Sequence, residues 1–241
     1  MKITRIGIIG AMDVEVSALY DSMIDATETP IAGMIFRKGN IGEVPVVVVK
    51  SGIGKVNAAI CAQILIDRFG VDHIINTGVA GSLNDKIAIG DVVISTDTMY
   101  HDMDATLFGY ERGQVPGMDT LTFPADPEFR ELIHTAVVNA AHDIRVFSGR
   151  VVSGDFFISS KNVKDFIRKS MDGMCVDMES TAIAHTAYVN KVPFVIVRFI
   201  SDNAEDESGK AYDEFEAEAA EHSANILKNA LLQIQNHMNR E

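Results

Sequence analysis

The chain has 241 residues, 21 Lys and Arg against 34 Asp and Glu, and a formal net charge of -13. Apolar residues at 47% and charged residues at 23% give an ordinary globular composition, which excludes a mainly disordered chain. The acidic balance argues against nucleic acid or an anionic membrane surface as the main partner, because both require a basic face.

No apolar run approaches the ~18 residues of a membrane-spanning helix. The run Ile6–Met12 is short and is followed at once by Asp13 and Glu15, so it reads as a first core strand and not as a signal peptide. Two cysteines, Cys61 and Cys175, are too few for a disulfide framework. They read as buried free thiols, with the cytoplasm as the expected compartment.

In chain order the expected strands are Ile3–Gly10, Val44–Lys50, His73–Thr77, Asp91–Thr96, Arg145–Ser153, Gly173–Met178 and Val192–Ser201. Many are apolar on both faces, as strands covered on both sides must be. Helical patterns lie between them over Lys55–Phe69, Asp126–Ala141 and Glu179–Asn190. Asp126 and Pro127 form an N-cap and first-position proline pair. A last helix carries Phe215, Ala219, Ile226, Leu227, Ala230, Leu231 and Ile234 in one stripe. The alternation predicts a single α/β domain over residues 1–241, with a parallel or mixed central sheet flanked by helices. Tyr100–Phe123 has no clean period, and a long irregular loop in a compact domain points to function or an interface.

Three glycine-containing segments are expected to make tight strand-to-helix turns. Gly7-x-x-Gly10 lacks the third glycine and the distal acid of a dinucleotide fingerprint. Ser51–Lys55 looks like a phosphate loop but lacks its first glycine, and Val56 stands where a metal-binding hydroxyl belongs. Thr77–Gly81 has the same small-residue character, which lets a ligand approach the backbone.

Glu15, Glu179 and Asp202 each fall where a strand ends. Taken singly they suit a first-turn acid or an N-cap. Together at one sheet edge they suit general acid and base work on a glycosidic bond. Arg198 sits inside an apolar strand and needs a buried carboxylate, with Glu15 or Glu179 as candidates. The seven histidines show no ligand spacing, so no metal and no cofactor is expected. There is no G-x-S-x-G elbow for a serine hydrolase.

Nine segments in order carry a resemblance: Ile6–Glu15, Lys50–Val56, Ile75–Gly81, Tyr100–Asp104, Phe108–Gly117, Val152–Ile158, Val176–Glu179, Pro193–Asp202 and Tyr212–Phe215. With these the chain resembles the 5′-methylthioadenosine/S-adenosylhomocysteine nucleosidases of the nucleoside phosphorylase superfamily. The resemblance implies a three-layer α/β/α sandwich and hydrolysis of the bond between adenine and a 5′-thio-substituted ribose. It implies Glu15 as general base toward water and Asp202, carrying a proton near neutral pH, as general acid toward adenine N7. Phe157 would stack on the base and the Ile158 backbone would pair with its edge. Glu179 would accept from the ribose hydroxyls and Met178 would pack on the sugar. Met12, Ala80 and Gly81 would line the pocket, with Ser201 and Arg198 orienting the acids. Phe108, Tyr110 and Pro116 would cover the 5′ end from the neighbouring subunit of a homodimer. Val79 and Asp177 depart from the family's usual small hydroxyl residue and Glu.

A phosphate-dependent phosphorylase would need cationic donors where Glu15 stands. A futalosine-type nucleosidase differs only in the 5′ substituent. A nucleoside-binding protein would predict loss of one of the three acids, and all are present. Residues 201–221 hold nine acids and one lysine, so most of the net charge is expected at the solvated opening of the last helix.

Overall fold

The computed structural model describes residues 2–141, 144–205 and 208–238, with side chains over all but 208–218 and 236–238. Phe215, the Tyr212–Phe215 motif and most of the acidic run therefore lie outside the described side chains.

Among the described residues ten strands form one mixed sheet: β1 Ile6–Gly10, β2 Ile24–Ile31, β3 Met34–Ile41, β4 Val44–Lys50, β5 His73–Ser82, β6 Val92–Tyr100, β7 Phe123–Pro124, β8 Val146–Ser153, β9 Gly173–Asp177 and β10 Phe194–Asp202. Six helices are interleaved: α1 Asp13–Asp21, α2 Lys55–Phe69, α3 Pro127–Ala140, α4 Lys161–Met171, α5 Ser180–Val189 and α6 Ser208–Met238. Val16 and Leu19 of α1, Phe129 and Ile133 of α3, and Leu227 and Leu231 of α6 pack on one sheet face. Ala58 and Cys61 of α2 and Ala182 and Ile183 of α5 pack on the other. The architecture is thus the expected α/β fold of three layers, and both buried cysteines are free.

The seven expected strands and four expected helices all form, with ends shifted by a few residues. Asp126 Oδ1 accepts the Phe129 N–H at 2.8 Å, with Pro127 opening α3 as expected. The β2–β3 hairpin, the short β7, α1 and α4 are additions. Strand β2 is exposed along most of its length, so it shows no apolar alternation to read. Its turn at Ala32-Gly33 takes positive φ at both residues, which suits a tight hairpin.

One expected turn is corrected. Thr77–Gly81 lies inside β5, which runs on to Ser82. Along one edge β5 pairs in parallel with β10, from Ile74 to Gly81. Along its other edge it pairs with β1 over His73–Asn76 and then with β9 at Gly81 and Ser82. Between those two ladders, Thr77–Ala80 have no strand on that side. Strand β10 pairs onward to β6, β6 to β8 and β8 to β9, so the sheet also closes on itself beside this gap.

Candidate active site

The gap in the β5 edge is where a cleft opens, lined by Met12, Glu15, Ile53, Val79, Ala80, Gly81, Phe157, Met178, Glu179, Ser201 and Asp202 among others. Glu15 enters from the first turn of α1 just after β1, Glu179 from the residue before α5, and Asp202 from the end of β10. All three acids are buried. The three strand-end carboxylates are therefore brought together. A larger groove between α3 and α6 has, among the described residues, only Glu128 and Glu131 as ionisable lining.

Glu15 occupies the missing ladder position. Its Oε1 accepts the Val79 N–H at 3.0 Å, a donor that no strand takes. Its Oε2 accepts the N–H groups of Ala11 at 2.6 Å and Met12 at 3.0 Å. Burial still outweighs these bonds and Arg198's charge, and holds the Glu15 carboxyl above its ordinary range. The Val79 contact with Glu15 runs through backbone, so loss of a side-chain hydroxyl there leaves that contact intact.

Arg198 is fully buried beneath the acids. Of its two expected partners Glu179 does pair with it, but a nearer acid was missed. The close carboxylate is Asp177, with Nε–Oδ2 at 2.6 Å, whereas Glu179 Oε2 stands 4.0 Å from Nη2. Asn76 Oδ1 accepts from Nη2 at 2.5 Å, and Ser180 Oγ accepts from Nε at 3.0 Å. Nη1 has no hydrogen-bond partner among the described residues. A Cβ at Gly78 would overlap both Nη1 and Glu15 Oε1, so the bare glycine lets the two groups share one spot over β5. Asp177 is itself buttressed by Ser153 Oγ at 2.5 Å and by the N–H groups of Glu179 and Ser180. Sequence reading missed Asn76 and Ser180; the one signal was a polar residue inside the apolar Ile74–Thr77 run.

Burial and the neighbouring Asp177 charge push the Glu179 carboxyl up to about 7. Its Oε1 accepts the Gly54 N–H at 2.8 Å. Ser201 Oγ donates to Asp202 Oδ2 at 3.0 Å, and Asp202 Oδ1 accepts the Ala204 N–H at 2.7 Å. Ile158 lies in a smaller hollow continuous with the cleft, shared with Gly81, Phe157, Met178 and Asp202. Phe108, Tyr110 and Pro116 do not line the chain's own cleft. They sit on the irregular loop, where Phe108 is 82% exposed.

The profile of the phosphorylase superfamily matches residues 5–232. A 5′-methylthioadenosine/S-adenosylhomocysteine nucleosidase from Staphylococcus carnosus is 46% identical over 223 residues, covering 92% of this chain and 96% of that protein. The crystal structure of the Neisseria meningitidis nucleosidase of that name, in complex with methylthio-immucillin-A, superposes with a TM-score of 0.92 at 36% identity, covering 96% of this chain and all of the other. The futalosine hydrolase of Helicobacter pylori superposes at 0.90 with 31% identity, covering 96% and 98%. By sequence and by structure the chain belongs to the 5′-methylthioadenosine/S-adenosylhomocysteine nucleosidase family of the phosphorylase superfamily.

Proposed function

We propose that this chain hydrolyses the N-glycosidic bond of 5′-methylthioadenosine, S-adenosylhomocysteine and 5′-deoxyadenosine, releasing adenine and the 5′-substituted ribose. The observation that carries this reading is the meeting of Glu15, Glu179 and Asp202 in one cleft above a buried arginine. A sugar losing its base develops positive charge at the anomeric carbon, and a pocket of fixed carboxylates stabilises it.

In this reading a water held between Arg198 Nη1 and Glu15 Oε1 attacks the anomeric carbon, and Glu15 takes its proton. Asp202, oriented by Ser201, protonates adenine N7, so the base leaves neutral. Phe157 stacks on adenine and the Ile158 backbone meets its edge. Glu179 accepts from the ribose hydroxyls while Met178 packs on the sugar, and Met12, Ala80 and Gly81 complete the walls. Phosphorolysis is disfavoured because a phosphate dianion would stand against Glu15.

A homodimer belongs to the same proposal. Ile53, Val56, Leu107, Phe108 and Phe156 are large apolar side chains left exposed. A second copy would cover them and bring Phe108, Tyr110 and Pro116 to its neighbour's 5′ pocket. The cytoplasm is the proposed compartment; among the described residues no helix is long and apolar enough to cross a membrane.

The test is adenine release from the three nucleosides with and without phosphate. Release independent of phosphate is expected, and strict dependence on phosphate would overturn the hydrolytic reading. The likeness to a futalosine hydrolase favours one second reading, a larger 5′ substituent. Competition between futalosine and methylthioadenosine decides it.

A further inference from the structure

The phosphate-loop look-alike Ser51–Lys55 takes up no phosphate chemistry in the reading above, yet it is built as an anion-binding turn. Gly52 and Gly54 have φ of 83° and 97°, and α2 starts at Lys55. The protein's own carboxylates take the N–H donors of the turn. Glu179 Oε1 accepts from Gly54 N–H at 2.8 Å, and Asp155 Oδ1 accepts from Lys55 N–H at 2.9 Å. Two negative groups at one helix start are favoured by its dipole and unsatisfied donors.

The Lys55 side chain then ties a third segment to the same point. Its Nζ lies 2.5 Å from Asp102 Oδ2, and this oxygen also accepts the Asp155 N–H at 3.0 Å. The pair is largely shielded, with side-chain exposures of 24% for Lys55 and 11% for Asp102. Asp155 Oδ2 stands 3.7 Å from the same ammonium. The fit behind the pair is tight, since a Cβ on Gly154 would come within 2.6 Å of His101 Nε2 and 2.8 Å of Asp102 Cγ. Asp155 directly precedes Phe156, Phe157 and Ile158, and Asp102 opens the irregular loop that carries Phe108.

We propose that Lys55 is a positioning residue that sets the adenine-binding segment: its ammonium fixes Asp102, which with the start of α2 holds Asp155 and so the ring of Phe157 and the backbone of Ile158. This deepens the function proposed above and rests on it. Lys55 itself is not among the residues lining the cleft. Its loss leaves Glu15 on α1 and Asp202 on β10 and loosens only the wall that receives the base. The signature is a weakened hold on adenine, in substrate and free product alike, with the chemical step little changed.

The experiment compares wild type, Lys55→Met and Lys55→Arg for kcat and KM with methylthioadenosine, and for adenine binding by calorimetry. Lys55→Met should raise KM and the adenine Kd together, by tenfold or more, with kcat within about threefold of wild type. Lys55→Arg, which keeps the charge, should return both constants to within threefold. If Lys55→Met does not fold, Asp102→Asn should show the same paired rise at smaller size. Unchanged KM and adenine Kd in the folded variants, or a loss confined to kcat, overturns the proposal. Wild-type protein that neither cleaves nucleosides nor binds adenine overturns the proposed function itself, and this inference with it.

Discussion

Asp177 and Arg198 form the closest charge pair beneath the cleft, with Nε and Oδ2 2.6 Å apart and both side chains shut off from solvent. Removing one partner of a buried pair leaves an uncompensated charge and costs roughly 3–5 kcal/mol. Asp177→Asn should lower stability by about that much in urea unfolding. It should also lower the Glu179 carboxyl, because the Asp177 charge is one cause of its rise. A variant as stable as wild type would show that Arg198 draws its compensation from elsewhere.

Glu15→Gln keeps the size of the side chain but removes the proposed proton acceptor. Turnover should fall by about 10²–10⁴-fold, the usual scale for a placed acid or base. The melting temperature should change little, since the lost backbone hydrogen bonds are offset by relief of a buried charge. Wild-type turnover in this variant removes Glu15 from the mechanism.

The pH dependence follows from the two raised glutamates. In the proposed mechanism Glu179 is ionised to accept from ribose and Glu15 to accept from water. The acid limb of kcat/KM should therefore sit well above 4.5, near the value of about 7 for Glu179. Stability should run the other way. Between about 4.5 and about 7 the folded chain holds protons that the unfolded chain has released, so stability from these groups falls as pH rises. Unfolding midpoints at pH 5 and pH 8 with matched ionic strength test the sign. A limb at ordinary glutamate values contradicts both expectations.

Gly78→Ala places a methyl group where Arg198 Nη1 and Glu15 Oε1 now stand. It should abolish turnover even where the chain still folds. Residual activity above about 1% of wild type, measured by adenine release, would show that the two groups can separate and still work.

Phe157→Ala tests base stacking, which for an aromatic platform is worth about 1–3 kcal/mol. KM for methylthioadenosine should rise by about 5- to 150-fold. An equal loss in kcat with KM unchanged would place Phe157 in the chemical step.

Much of this is legible in the sequence. The both-face apolar strands read out because burial on two sides leaves little choice but Val and Ile. The three acids read out because strand ends are where such a sheet places its chemistry. Strand β2 did not, since its solvent-facing residues carry no period. The Asp177–Arg198 pair did not either: an acid two residues before another gives no sign of which one turns inward. The gap along β5 was hidden for a different reason, because a strand that changes partners midway looks in sequence like any other apolar run.

That change of partners makes β5 the common reference for the chemistry. Strand β1 leads to Glu15, β9 to Glu179 and β10 to Asp202, and each is hydrogen-bonded to β5 directly. The acids are separated by up to 187 positions in the chain (15 to 202), yet each is one ladder from the same strand. Holding all three takes β1, β9 and β10 together on β5, and such long-range pairings form slowly. Recovery of catalysis after denaturation is thereby a clock for assembly of these four strands, which helix content measured by circular dichroism will run ahead of.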